Sequence, residues 1–436
     1  MVLPVKKELI LINPRLSNFL FNFLQSKFAG NPVPYSLLTI AALTPKEYNT
    51  KIINQRQFWT NRNFTGGALV GITCLTAAVF EAYQLSDKFR RAGSRVVLGG
   101  PHVTALSEEA LEHADSIVIG EAESVWGRVI KDFENGQLEK IYKGEPLEDF
   151  FTPTYDYFMH LDARVLSRAG IHIDRGCRYH CDFCSRISPW LRSIKIEQAL
   201  GLVMRIKTDR RSIFIRKPQI KFNSDNIYSS PSYAKELFKK MIPLDIIWGG
   251  NSSIDIGFDE EALELAKASG CKGLLIGFET IYPKEYNKTS LKELHSVKDY
   301  KIAINNIKAR GIKVGGSFIL GLDEYSHFDY LKLLWFLMRS GLWISILTIL
   351  TPIPGSALFD RLRKENRILT FDWRKYFFLV CVIKPKRTSV MAVYIWFWLI
   401  RTLSIFFMPY SLLIMVFFIV SWEVGGRVTR WLLYGF

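Results

Sequence analysis

The sequence predicts an α/β protein with three parts: an N-terminal doubly wound parallel sheet, a partial (β/α)6 barrel, and an apolar helical C-terminal tail. Three observations carry this prediction. Short apolar runs alternate with helical stretches from Leu9 to about residue 145. The alternation resumes with a longer period after about residue 166. Residues 388–422 then hold a single charged side chain, Arg401. Alternating strands and helices build parallel sheets, and 436 residues exceed one ordinary core.

In the first unit, residues 1–145, strands are expected at Leu9–Asn13, Thr50–Ile53, Ala68–Thr73, Arg95–Leu98 and Ser116–Ile119, with a helix at Ala78–Ala92. The lysines at the N-terminus precede only a short apolar run with no small-residue cleavage site, so the segment reads as a first strand and not a signal peptide. Right-handed crossovers place the binding crevice of such a sheet at the C-terminal ends of its strands. Two loops fall there, Gly99-Gly100-Pro101-His102 and Gly120-Glu121-Ala122-Glu123. Their glycines suit a bound ligand or a plain tight turn.

A linker over 146–165 leads to the second unit, 166–369. Strands are expected at Ile171–Asp174, Gln219–Phe222, Asp245–Trp248, Gly273–Phe278, Ile312–Phe318 and Ile344–Leu350, with helices near 194–208, 231–241, 259–269, 296–309 and 327–340. Six βα units make an incomplete barrel with its chemistry at the strand C-terminal ends.

Directly after the first of these strands comes Cys177-Arg-Tyr-His-Cys181-Asp-Phe-Cys184. Thiolates are the usual ligands of iron-sulfur clusters, which normally need four of them. Here there are three, and Cys74, Cys271 and Cys381 are distant in sequence. The pattern therefore suits a cluster with one iron open to a non-protein ligand, or a zinc site. Six cysteines are too few for a disulfide scaffold in so long a chain, which favours a reducing, cytoplasmic setting.

The Cys-x3-Cys-x2-Cys spacing after the first barrel strand resembles the radical S-adenosylmethionine superfamily. The resemblance implies that Cys177, Cys181 and Cys184 hold a 4Fe-4S cluster. It further implies that S-adenosylmethionine chelates the open iron and is cleaved to a 5′-deoxyadenosyl radical. Phe183 matches the aromatic residue of that loop. Phe222-Asn-Ser224-Asp225 resembles the family's Phe-x-Asp-Asp strand end, with Ser224 in place of the first acid. Gly277-Phe278-Glu279 stands where the family has Gly-Ile-Glu. By this match Asp225 and Glu279 contact S-adenosylmethionine. Gly311-Ile-Lys-Val314, Ser317-Phe-Ile-Leu-Gly321 and Pro352-Ile-Pro354-Gly355-Ser356 match scaffold segments.

Leu98-Gly-Gly-Pro-His102 and Val118-Ile-Gly-Glu121-Ala-Glu123 resemble the branch with an N-terminal cobalamin-binding domain, so Gly99, Gly100, His102, Gly120 and Glu121 are its expected crevice. The Asp-x-His-x-x-Gly loop that supplies a lower axial histidine in many cobalamin proteins does not occur. Either cobalamin binds without a histidine ligand or the domain has lost it.

The formal charge of +16 suits nucleic acid or an anionic membrane face. Neither a second cysteine triplet nor an aromatic-basic RNA module is present, so no nucleic acid partner is expected. In the tail, 370–436, the uncharged run Thr402–Trp422 is just long enough to span a bilayer, although Pro409 interrupts it. A span, a helix lying in the interface and buried helices of a soluble domain all fit this pattern. The resemblance implies cobalamin-dependent methylation of an unactivated carbon in a lipid-like or tetrapyrrole substrate, fed by a flavodoxin or ferredoxin. Radical cyclisation or carbon-carbon coupling is the alternative, ahead of RNA methylthiolation or a non-catalytic membrane-anchored redox sensor.

Overall fold

The computed structural model describes residues 7–15, 33–54, 66–188, 190–209, 217–282 and 296–407. Its first unit is a six-stranded sheet of β1 (Lys7–Asn13), β2 (Tyr48–Asn54), β3 (Leu69–Thr73), β4 (Arg95–Gly99), β5 (Ser116–Gly120) and β6 (Ile141–Gly144). The order is β2-β1-β3-β4-β5-β6 and every pairing is parallel. Around it lie α1 (Tyr35–Leu43), α2 (Val79–Arg91), α3 (Pro101–Ala105), α4 (Ser107–Glu112) and α5 (Trp126–Glu134). Continuous apolar runs form the strands because helices cover both faces, leaving Leu9, Leu11 and Ile12 at most 1% exposed. Each such side chain contributes about 1.5–3 kcal/mol on burial. The β1/β3 neighbours are a topological switch point, where a crevice opens at the strand C-termini.

β6 lies where the sequence reads as the approach to a linker. Its IYKG offers only a weak strand pattern, but Tyr142 is fully buried and its hydroxyl donates to Asp132 of α5 at 2.8 Å. Residues 152–169 are also more than a tether. They form a 3-10 turn (Thr152–Thr154), α6 (Tyr155–His160) and α7 (Ala163–Ala169). The rings of Phe151 and Phe158 stack on Tyr35 of α1, and Tyr35 packs on His172 of the second unit with centroids 4.2 Å apart. An aromatic wedge thus joins the two units.

The second unit opens with a short antiparallel pair, β7 (Asp174–Arg175) and β8 (Arg192–Ser193), which closes the base of the cysteine loop. β9 (Gln219–Lys221), β10 (Ile247–Ser252), β11 (Cys271–Glu279), β12 (Lys313–Leu320) and β13 (Ile344–Ile349) form a parallel sheet in sequential order. The parallel bridge Ile171–Phe222 attaches the strand that leads into β7, giving the six predicted positions. The outer helices are α8 (Ile196–Lys207), α9 (Pro231–Met241), α10 (Glu260–Ala268), α11 (Val297–Ala309), α12 (His327–Ser340) and α13 (Ala357–Lys364).

The predicted tail divides. Residues 370–389 belong to the folded body, since Trp373, Tyr376, Val382 and Ile383 are buried and Ile383 bridges to Ile368. α14 (Val390–Phe407) is one continuous helix that runs into the start of the uncharged run, with Val393, Phe397 and Ile400 buried against the barrel. Among the described residues no helix is long and apolar enough to cross a membrane. The rest of the run expected to span, from residue 408 onward, lies outside the described residues.

Candidate functional site

The cysteine loop leaves β7 through Gly176. A Cβ there would stand 2.2 Å from the Trp190 carbonyl oxygen, and φ is +82°, so only glycine lets the chain turn. Cys177 and Cys181 are half-buried and Cys184 is exposed. Several bonds hold the loop, from within and from outside. The Cys184 amide donates to the Cys181 carbonyl at 3.1 Å, and Arg186 donates to the Cys177 carbonyl at 2.6 Å. Leu358, in the first turn of α13, donates its amide to the Asp182 carbonyl at 2.8 Å, and Arg361 pairs with the Asp182 carboxylate at 3.2 Å. The Pro352–Ser356 turn, read as scaffold, therefore carries the helix that pins the loop.

Cys74, Cys271 and Cys381 are buried elsewhere, each with its thiol directed at a backbone carbonyl. Burial pushes all three thiols up, which suppresses the thiolate a metal needs. Among the described residues no three Cys, His, Asp or Glu side chains already converge on one metal position. The donors present on the loop are nevertheless three thiols with no fourth, which suits a cluster with one open iron.

Around this loop the barrel strand ends bring the predicted residues to one face. Phe183 is half-buried and packs against the core. Asp225 is exposed beside the cysteine loop. Desolvation raises its carboxyl and the Arg186 charge opposes this. Glu279 ends β11 with φ +64°, beside a bulge at Gly277/Glu279, and accepts a hydrogen bond from the Ser317 hydroxyl at 3.3 Å. Left-handed backbone at a non-glycine residue costs about 1–3 kcal/mol and collects at functional sites.

Asp174 is a residue that sequence reasoning passed over. It is 7% exposed, and the Ser224 hydroxyl lies 2.6 Å from both its carboxylate oxygens. Ser224 occupies the place of the family's first acid, so a carboxyl is present at that point after all, brought by the neighbouring strand. The signal available was Asp174 lying next to Arg175, just before the cysteine loop. Burial raises its carboxyl to about 7, the Ser224 bond opposes this, and the nearby Asp225 charge adds to it. A carboxyl raised on folding destabilises the fold as pH climbs from its unfolded value near 4 to its folded value. Asp174→Asn is accordingly expected to flatten the decline in urea midpoint between about pH 4 and about pH 7 and to leave iron content unchanged. An unaltered slope in the variant would refute this.

In the N-terminal unit the predicted crevice residues separate by role. Gly99 ends β4, and Gly100, just after it, has φ +109°, with a Cβ only 3.1 Å from the Cys74 backbone. Gly120 donates its amide to the Thr104 hydroxyl at 3.0 Å, and a Cβ there would meet the Gly144 carbonyl oxygen at 2.4 Å. The side chains of His102 and Glu121 are buried and engaged by neighbouring protein groups. His102 is fully buried, with its ring nitrogens 3.3 Å from Thr76 Oγ1 and Glu109 Oε1. Glu121 is 7% exposed and accepts from Ser188 at 2.6 Å, from Arg175 at 3.1 Å and from Arg192. Burial opposes ionisation of Glu121, but the Arg192 and Ser188 hydrogen bonds and the Arg175 charge hold its carboxyl below the usual range. Arg175 and Arg192 also lie over the Phe150 ring, at 4.6 and 5.4 Å. Glu121 therefore ties the β5 loop to both strands that bracket the cysteine loop.

His172, also not foreseen, accepts from the Asn223 amide at 2.8 Å. Burial and the Arg175 and Lys221 charges lower its pKa to about 3, so the ring is neutral. A cavity of about 440 Å³ lies among Phe80, Tyr83, Glu109, Phe359, Arg363 and Trp373, and none of the strand-end site residues lines it.

Comparison with known proteins places this geometry. The Radical SAM superfamily profile matches residues 171–337, from the strand before the cysteine loop to α12. Bacteriochlorophyllide d C-12(1)-methyltransferase of Chlorobaculum tepidum is 28% identical over 361 residues, covering 81% of this chain and 78% of that protein. Bacteriochlorophyllide d C-8(2)-methyltransferase of the same organism is 27% identical over 368 residues, 81% of each chain. The radical S-adenosylmethionine methyltransferase TsrM of Kitasatospora setae, solved with cobalamin and a [4Fe-4S] cluster, shares the fold with TM-score 0.61 at 15% identity, over 83% of this chain and 75% of that one. With three thiols on one strand-end loop, a half-barrel behind them and a parallel α/β unit tied to that loop through Glu121, residues 171–337 match the radical S-adenosylmethionine superfamily, and the chain as a whole is similar in sequence to two bacteriochlorophyllide d methyltransferases and in fold to a cobalamin-bound radical S-adenosylmethionine methyltransferase.

Proposed function

We propose that the chain is a cobalamin-dependent radical S-adenosylmethionine methyltransferase acting on an unactivated carbon of an apolar, tetrapyrrole-like substrate. The observation that carries this reading is the placement of the cysteine loop against the strand ends of the N-terminal unit, bridged by Glu121, Arg175 and Arg192. Both Chlorobaculum tepidum relatives, named for methylating bacteriochlorophyllide d, support the substrate class. A lipid-like acceptor is the neighbouring possibility.

In this reading Cys177, Cys181 and Cys184 hold the 4Fe-4S cluster. Phe183, Asp225 and Glu279 orient S-adenosylmethionine, Asp225 and Glu279 by accepting hydrogen bonds. Gly99, Gly100 and Gly120 offer backbone to the corrin, while His102 and Glu121 shape its loops from behind. When bound, the reduced cluster supplies the electron that cleaves S-adenosylmethionine, and cobalamin supplies a methyl carrier. A flavodoxin- or ferredoxin-type donor and attachment to a membrane surface complete the proposal.

The test is anaerobic purification with cobalamin supplied, followed by assay of iron, sulfide and corrin, then incubation with methyl-labelled S-adenosylmethionine and a chlorophyllide-type acceptor. About four irons and one corrin per chain, with label in the acceptor, is the expected result. A full complement of iron without corrin, and an oxidised, unlabelled product, would replace methylation with radical cyclisation.

A further inference from the structure

α14 is apolar on two faces. Val393, Phe397, Ile400 and Ser404, spaced along one stripe, are buried on the barrel, where the Tyr394 hydroxyl accepts from the Cys381 amide and Trp396 stacks on Tyr330 of α12 at 5.6 Å. The opposite stripe carries Met391, Ile395, Trp398, Leu399 and Phe406, exposed by 67, 58, 60, 40 and 70%. α12, packed alongside, adds a stripe of its own, with Phe328, Leu331 and Trp335 exposed by 64, 49 and 53%. A helix apolar all round belongs in a core or in lipid, and contiguous exposed apolar area of this kind marks an interaction surface.

The charges set among these rings select the partner. Lys332 lies over the Phe328 ring at 4.6 Å, Arg339 over Trp335 at 3.7 Å and Arg401 over Trp398 at 6.0 Å. Exposed Lys384, Lys386 and Arg387 precede α14. Tryptophan and phenylalanine beside cations with long aliphatic stems is the chemistry of a membrane-water interface, where rings enter the acyl boundary and cations stay with the headgroups. The sequence beyond the helix points the same way, because residues 408–422 contain no charged side chain.

The geometry points to the α12/α14 face as a docking surface for an anionic lipid bilayer. Val393 of α14 packs on Gly321, immediately after the C-terminal end of β12, so docking would bring the ligand-facing end of the barrel toward the membrane. This deepens the proposed membrane attachment, which the sequence assigned to the tail alone. It needs no particular chemistry at the cluster, so a failure of methylation would leave it standing.

The test uses the full-length, iron-loaded protein and vesicles of phosphatidylcholine with or without phosphatidylglycerol. Wild type is expected to co-sediment with the anionic vesicles and to be released by salt. Trp335→Glu/Trp398→Glu, with the tail untouched, is expected to bind about tenfold or more weakly. Since both side chains are exposed, its iron content and thermal midpoint should match wild type. Undiminished binding by the double variant would overturn the proposal in favour of the tail alone. Failure of wild type to bind, or a wild-type dimer that the double variant turns into monomer, would overturn it in favour of a face covered by the chain itself or by a second copy.

Discussion

Replacing Cys181 with serine is expected to leave a folded protein that has lost its iron. Wild type reconstituted with iron and sulfide should carry about four irons per chain and the broad charge-transfer absorption of a 4Fe-4S centre. The variant should carry almost none, and reductive cleavage of S-adenosylmethionine should fall to background. The physical reason is the count of donors. Cys74, Cys271 and Cys381 are buried with raised thiols and cannot substitute. Cys177→Ser and Cys184→Ser should behave in the same way, whereas Cys74→Ser, Cys271→Ser and Cys381→Ser should keep the cluster. Full iron loading in Cys181→Ser would remove the basis for the site.

Glu121→Ala should give the largest loss of stability among the residues discussed. The carboxylate lies between Arg175 and Arg192, whose side chains are 20 and 4% exposed, and its removal leaves the buried Arg192 without a carboxylate while Arg175 keeps Glu123. Breaking a buried pair by removing one partner costs about 3–5 kcal/mol, readable as a lowered urea midpoint. Its carboxyl is depressed in the fold, so the stabilisation is complete above the unfolded glutamate value of about 4.3 and is lost as pH falls through the lower folded value. Wild type should therefore weaken on acidification below about pH 4 and the variant less so. If Glu121 instead served only the corrin, the variant would unfold like wild type and lose corrin alone.

Much of the architecture was legible because its signals are local. The apolar runs of β1, β3, β4 and β5 and the helices from α8 to α12 appear close to where periodicity set them. β6 and the ordering of residues 152–169 were not, since IYKG and a Pro- and Tyr-rich stretch carry little periodicity and become ordered through Tyr142, Phe151 and Phe158 entering cores built by distant residues. Likewise 370–389 reads as the start of a tail until Trp373 is seen donating to Glu109, 264 positions earlier in the chain.

At the site the division is similar. The three-cysteine loop was legible because its thiols lie within eight residues of one another, and Asp225 and Glu279 were legible only through the resemblance of their strand-end motifs to the family's. Which carboxyls and cations meet is set by long-range packing. Asp174 is paired with Ser224 across two strands, Glu121 is set between Arg175 and Arg192, and His102 is enclosed beside Glu109. Burial and ion pairing depend on what packs opposite a side chain, and for Asp174 and Glu121 that partner lies 50 to 71 residues away, where no local pattern records it.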